Sequence, residues 1–440
     1  MLRALTFLYF VLTSTLAQAN CDFKTGSYIE ELKDPSSVDN ISIIVPKSAK
    51  YAKNMLKIIT SKSENIHPEL KKRFKAEIIV NYKFGTCRYQ GSVRQNGDWK
   101  DHTGFLSGGR IYRSLDVKLK TGNVASAVQF KLLIPATRNA ENEILATLIL
   151  KRLGIISPET FAVQVEVNGV SAPMLFQESA RKELLEKNFR REGPIFEGDE
   201  ELLWSFKDFD LFELEPYSLA KMSNDNWFEK GSSSQAITLE AYARLQSIYS
   251  DYSVSTEERL GLVLFDRQND QSEFANYALV LLAMNGSHAL RPHNRKFYFN
   301  SITSRFEPIY YDGMTSFEEI KKIQSGRLLD NIFALQFDTE INPKFVKKIS
   351  DIITSKQLKN DFINRAKPLI NGDDQKVELI NYYDKSVKQY LSNIQVLYNK
   401  PTNSSARIGR YQNAERSIQA YLKSLKNTNF SQNIVRKLDN

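Results

Sequence analysis

Apolar positions mostly alternate with polar ones at period two over the first part of the chain. From about residue 239 onward they recur at helical spacing. The run 41–45 (ISIIV) predicts a short strand, and 47–61 carries apolar residues on one helical face. Segments 76–84 (AEIIVNYKF) and 88–94 (RYQGSVR) alternate around Gly85 and predict a β-hairpin. The turn-rich stretch 96–110, with Gly108-Gly109, separates them from a further alternating strand at 114–120 (SLDVKLK), so the region reads as a β-meander. Residues 128–134 (VQFKLLI) form another strand closed by Pro135. A helix over 139–153 follows, with Asn139 as its cap and Gly154 as its stop. Strands at 161–167 and 173–176 are joined by Asn168-Gly169, the strongest short hairpin signal. Beyond an acidic, aromatic connector at 197–215, helices are predicted at 239–249, 257–264 and 271–285. A hairpin is expected at 296–300 and 306–311, and amphipathic helix over most of 317–440.

Composition narrows the class. A chain of 440 residues that is 42% hydrophobic can bury a large core and suggests two or three domains rather than a disordered tail. Arg3 precedes an apolar run from Leu5 to Leu12, long enough for the core of a secretory signal and too short to span a bilayer. Ala17 and Ala19 fit the small-residue cleavage pattern, so residues 1–19 are expected to be a signal peptide and the mature chain to begin near Asn20. Gln18-Ala19-Asn20 before Cys21 lacks the small residue that precedes a lipidated cysteine, and no lipid anchor is expected. No later apolar stretch reaches the ~20 residues of a membrane helix, the best being 277–284, so the exported chain is expected to be soluble, either periplasmic or secreted.

Two cysteines in an exported protein make one disulfide the default, Cys21 with Cys87. The same two cysteines and four histidines fit no zinc spacing, so no structural metal is expected. The net charge of +9 raises nucleic acid as a partner, but the basic residues are spread thinly and no binding motif is present. Local excess at 47–75 and 400–437 suits solvated helix faces or an acidic envelope polymer better.

A β-rich segment with one helix before its last hairpin, followed by a helical segment, is also the order of a two-lobed protein-kinase-like α+β fold. Particular residues carry a closer resemblance. Val93-Arg94-Gln95-Asn96-Gly97 with 114–120, Arg138-Asn139 opening a helix, the hairpin 165–169 leading to Phe176-Gln177-Glu178, and His293-Asn294 before Phe297-Tyr298-Phe299 and Tyr310-Tyr311-Asp312 resemble, in order and spacing, the CotH family of spore-coat-protein kinases and their secreted relatives. The match spans about residues 90–315. It implies a phosphotransferase using ATP and Mg²⁺, because phosphoryl transfer asks the protein chiefly for charge neutralisation and positioning.

On that resemblance, Lys131 would hold the α/β-phosphates and pair with Glu143, or with Glu141, while Lys118 on the basic strand is the rival lysine. Asn294 and Asp312 would ligate the cation, and Glu178 would lie at the hinge between lobes. The family's catalytic aspartate is replaced by Ala289. His288, with an imidazole whose ordinary pKa of ~6.5 suits a proton acceptor, is the nearest substitute. The implied domains are 20–180, a β-rich lobe; 181–335, a mostly helical lobe; and 336–440, a helical extension. The acceptor would be a protein or an acidic envelope polymer. The alternatives are a non-catalytic envelope or extracellular-polymer binding protein on the same fold, and a structural protein with no site.

Overall fold

A computed structural model of the chain describes residues 20–23, 28–62, 65–198, 220–254, 268–290, 294–320, 342–370 and 374–399. The expected signal peptide, most of the acidic connector, the helix at 257–264, His293 and the basic stretch 400–437 lie outside the described residues. The chain divides into two compact units, residues 1–132 with 163–173, and residues 133–162 with 174–440.

The first unit is built on strands β1 (Asn20–Phe23), β2 (Val38–Ile44), β3 (Phe74–Tyr82), β4 (Gly85–Gln95), β5 (Thr103–Phe105), β6 (Ile111–Arg113), β7 (Leu115–Leu119) and β8 (Gln129–Leu133). To these it adds the hairpin between β9 (Thr160–Val167) and β10 (Val170–Glu178). Helices α1 (Ile29–Lys33) and α2 (Ser48–Thr60) flank β2. The sheet order is β1-β4-β3-β2-β9-β10-β8-β7, and β4 also pairs with β7, so the sheet closes on itself. Alternation does the folding: Ile78 and Val80 of β3, Tyr89 and Val93 of β4, and Leu115 and Val117 of β7 are buried, while the residues between them face the other way. Gly85 stands opposite Phe23, and a Cβ there would come within 2.3 Å of the Asp22 carbonyl oxygen, so no larger residue fits. Asn168 and Gly169 both take positive φ, 47° and 84°, the turn that the β9–β10 hairpin requires. Part of the stretch 96–110, expected as turn, belongs to the small β5–β6 hairpin closed around Gly108-Gly109.

Cys21 and Cys87 are register partners on β1 and β4 and form a disulfide, as expected. It ties β1 to a strand 66 positions away. The purified chain should therefore show no thiol toward a colorimetric thiol reagent under native conditions, and two after reduction in denaturant. Two reactive thiols in the native protein would contradict the pairing.

The second unit holds β11 (Ile195–Gly198), β12 (Ala220–Met222), β13 (Lys296–Asn300) and β14 (Arg305–Ile309) in the order β12-β11-β13-β14. Its helices are α3 (Glu141–Leu153), α4 (Lys182–Lys187), α5 (Asp225–Phe228), α6 (Ser232–Val254), α7 (Gln268–Ala283), α8 (Pro343–Ile353), α9 (Lys356–Ala366) and α10 (Gln375–Tyr398). The mixture of helix and strand is the one expected, but the division falls elsewhere. Helix α3, assigned from sequence to the β-rich lobe, buries Ile144, Leu145, Ile149 and Leu153 in one core with Ile349, Phe362, Tyr383 and Tyr390 of α8, α9 and α10. Residues from 342 to 399 are thus part of the second unit's core rather than an extension. Gly154 takes φ 88° and its N–H meets the Lys151 carbonyl, ending α3 where expected. Asn139 does not cap it: the residue before α3 is Ala140, and Asn139 lies in the left-handed region at φ 54°. No helix among the described residues is long and apolar enough to cross a membrane.

Candidate functional site

Chain order at the end of β14 sets up the site. The strand stops at Ile309, two residues earlier than its alternation suggests, so Tyr310, Tyr311 and Asp312 leave the sheet. Asp312 adopts φ 48° and Met314 φ 49°, a conformation that turns the segment sharply. Asn139 holds that turn, its Nδ2 donating to the carbonyl oxygens of Met314 at 3.1 Å and Thr315 at 3.0 Å. Asn285, also at positive φ, donates in the same manner to Ser316 and Glu318 just beyond it.

Within this frame the structure brings together three residues singled out from sequence. His288 Nδ1 lies 2.8 Å from the Asp312 carbonyl oxygen and 3.7 Å from its Oδ1. Asn294 Nδ2 is 3.0 Å from Nδ1 and 3.2 Å from Nε2 of the same ring, and it donates to the His288 carbonyl oxygen at 3.2 Å. A carbonyl oxygen can only accept, so Nδ1 carries the proton in a neutral His288 and Nε2 is left as the ring's acceptor. The tautomer is inferred from that partner. Asn294 is buried, whereas the His288 side chain keeps a third of its surface exposed.

Sequence reasoning missed the fourth member. Arg138 Nη2 meets Asp312 Oδ2 at 3.1 Å, with both side chains largely buried. Its Nη1 donates to the Thr137 carbonyl oxygen at 2.8 Å. Burial disfavours the guanidinium's charge, yet Asp312, Tyr311, Glu143 and Tyr310 together hold its pKa above the ordinary arginine value. Arg138-Asn139 had stood out only as the opening of a motif. The signal available was chemical: an arginine locked beside a buried helix start needs a carboxylate, and Asp312 is the one it finds.

Glu143 lies in the first turn of α3 and is fully buried. Gln177 Nε2 donates to its Oε1 at 2.7 Å, and the Tyr310 hydroxyl donates to its Oε2 at 2.5 Å. Burial pushes its pKa up to about 7, against the lowering effect of the Tyr310 bond, Arg138 and Gln177. No lysine is among these partners. Lys131 belongs to the first unit, opposite Asp116 in the β7–β8 register, and is one of the cations acting on that carboxylate. Lys118, the rival, is exposed on β7 of the same unit. Glu141 lies in the first turn of α3.

Glu178 follows Gln177 on β10 and so points to the other side of the strand. It is buried against Lys187, 3.0 Å from Nζ, and its N–H donates to the Glu159 carbonyl oxygen at 3.0 Å. Burial raises its pKa. Glu159 gathers Arg365, Lys151 and Lys187, and these cations outweigh its burial and keep it ionised. The Glu178 backbone N–H is thus taken by the Glu159 carbonyl oxygen and its carboxylate by Lys187.

The donor set does not fit the expected magnesium ion in this arrangement. Asp312 Oδ2 is on the Arg138 guanidinium, and Asn294 turns its amide nitrogen toward His288. Among the described residues no group of three or more His, Cys, Asp or Glu is placed to hold an ion. What the arrangement can do is hold one ring nitrogen as a proton acceptor, fixed by a carbonyl on its other side, beside a carboxylate–guanidinium pair.

No protein-family model matches the chain, and no curated protein does. Among solved structures it is similar to the Helicobacter pylori proinflammatory kinase CtkA, at TM-score 0.30 and 9% identity over 67% of this chain and 94% of that one. It is also similar to a chain of the Shewanella oneidensis toxin–antitoxin complex of HipA, HipB and operator DNA, at TM-score 0.32 and 12% identity over 82% of this chain and 74% of that one. Both scores are too low for either likeness to define the fold.

Proposed function

We propose that the chain is an exported, kinase-like phosphotransferase acting on a protein or an acidic envelope polymer, with its reacting end at His288, Asn294 and Asp312. One observation carries the reading. Asn294 and Asp312, picked out by their resemblance to the CotH pattern, and His288, named as the nearest proton acceptor where that pattern's aspartate is replaced by Ala289, lie up to 24 positions apart and meet around one imidazole ring. In the reaction so assigned, an acceptor hydroxyl takes the place of the Asn294 amide at His288 Nε2 and gives its proton to that nitrogen as its oxygen forms a bond to the terminal phosphorus of a nucleotide. The bond between that phosphorus and the bridging oxygen breaks, and the electron pair leaves with the nucleoside diphosphate. Asp312, held by Arg138, fixes the ring through its own carbonyl oxygen. The arrangement assigns no step to a divalent cation.

A second reading has its own support. Ala289 stands where a catalytic carboxylate is expected, and Asp312 is already neutralised by Arg138, both of which suit a fold that binds without reacting. Incubating the purified chain with γ-labelled ATP, with and without Mg²⁺, and with cell-envelope material separates the two. Transfer of label that falls by about 10²–10⁴-fold in His288→Ala, and by less in Asp312→Asn, which keeps the backbone carbonyl that fixes the ring, is the expected result. Nucleotide bound with no label transferred would favour the binding protein, and no nucleotide bound would remove both nucleotide roles.

A further inference from the structure

The first unit concentrates charge on one face of its sheet, in a pattern that the site above does not use. Along β3, β4 and β7 the inward positions are mostly apolar, and the positions between them are polar or charged apart from Ile79, which stands opposite Arg88. Register sets the outward residues in rows. Arg94, Asp116 and Lys131 stand opposite one another, and Lys75, Ser92, Lys118 and Gln129 make the next row. Glu77 with Gln90, and then Arg88, continue the face along β3 and β4. Arg73, just before β3, reaches into the first row.

Six basic residues of this face thus answer two carboxylates, Glu77 and Asp116. Asp116 is buried at the centre of the first row. Arg73 Nη2 lies 2.7 Å from its Oδ1 and Arg94 Nη2 3.3 Å from its Oδ2, while Gln129 Nε2 donates to both oxygens. One sunken anion therefore holds two guanidiniums in place, and ordering them is a cost that a ligand need not meet again. Lys75, Arg88, Arg94 and Lys118 are exposed.

We propose that this face binds an acidic polysaccharide. Neighbours within a row stand about 4.8 Å apart across the strands and successive rows about 6.6 Å apart along them, which presents fixed and mobile cations at spacings suited to carboxylate or sulfate groups strung along a chain. None of the outward positions is aromatic, so the face offers no platform on which bases would stack, and its apolar residue, Ile79, is partly buried opposite Arg88 and is too little to insert into a membrane. The polymer acceptor named above gains a docking place by this inference. The inference rests on the phosphotransferase reading only for that role, because binding is measured with no nucleotide present.

The test is calorimetric titration of the exported chain with heparin and with a polyuronate over a series of salt concentrations, with neutral dextran as control. Lys75→Glu/Lys118→Glu is compared with Lys344→Glu/Lys356→Glu, which changes net charge equally on exposed helical positions of the second unit. Lys75→Gln/Lys118→Gln guards against loss of fold. Both acidic polymers should bind with an affinity that falls linearly in log salt. The β3/β7 variants should lose about tenfold or more, with a salt slope shallower by about two, and the helical variant should stay near wild type. No binding, equal loss in both charge-reversal variants, binding of dextran, or tighter binding of a single-stranded nucleic acid at the same salt would each overturn the proposal.

Discussion

Glu143→Gln is expected to remove a loss of stability that the native protein suffers as pH rises from about 4.5 to about 7. The buried carboxyl accepts from Gln177 and Tyr310, and Arg138 and Asp312 add opposing charges to its surroundings. Tyr277, itself pushed up by burial, faces it as well. Burial is the largest influence and favours the neutral acid. The sign follows from proton counting. Between the ordinary value of 4.5 and the native value of about 7, the folded chain keeps a proton that the unfolded chain has released. The contribution is therefore complete below 4.5 and is lost as pH rises through 7, amounting to roughly 3 kcal/mol at most.

A glutamine can still accept from one neighbour and donate to the other, so the variant should fold. Glu178 is raised too, and Glu159 and Asp116 are lowered, so the wild-type curve alone mixes several groups. The informative quantity is the difference between wild type and Glu143→Gln in denaturant titrations at pH 4.5, 5.5, 6.5 and 7.5. Parallel curves would mean that Glu143 ionises in the folded protein much as it does in the unfolded one.

The same residue shows where sequence is informative and where it stops. Gly85, Asn168-Gly169 and Gly154 each mark a turn whose backbone requirement is local, and each stands where the pattern put it. The Cys21–Cys87 pair needed only composition and compartment. Amphipathic periodicity in 342–399 said that one face of each helix is buried, but not against what. The answer, α3, lies some two hundred positions earlier, and no local rule reaches that far. The site divides in the same way. Asn294 and Asp312 could be named because a pattern of residue types carried them, and His288 because it is the nearest proton acceptor to the replaced aspartate, whereas Arg138 and the Tyr310 and Gln177 partners of Glu143 are set by how the turn after β14 meets the start of α3. Lysine on a strand was misleading because alternation fixes only which side a residue takes. On β7 and β8 that side is the charged outer face.

Breaking the Arg138–Asp312 pair should destabilise the second unit more than any other single change near the site. Arg138→Met leaves a mostly buried carboxylate without its cation, and Asp312→Asn leaves a buried guanidinium without its anion. Removing one partner of such a pair typically costs about 3–5 kcal/mol. The double variant Arg138→Met/Asp312→Asn removes both charges at once, so it should be less destabilised than the sum of the two singles by about 1–3 kcal/mol. The bond from His288 Nδ1 goes to the Asp312 backbone, not its carboxylate, and survives in all three variants. Denaturant unfolding of the four proteins at one pH gives the coupling directly. Should the single losses simply add, the ion pair is not what holds Asp312 in its left-handed turn. That work would then fall to Asn139, whose two hydrogen bonds to the carbonyls of Met314 and Thr315 are untouched by either substitution.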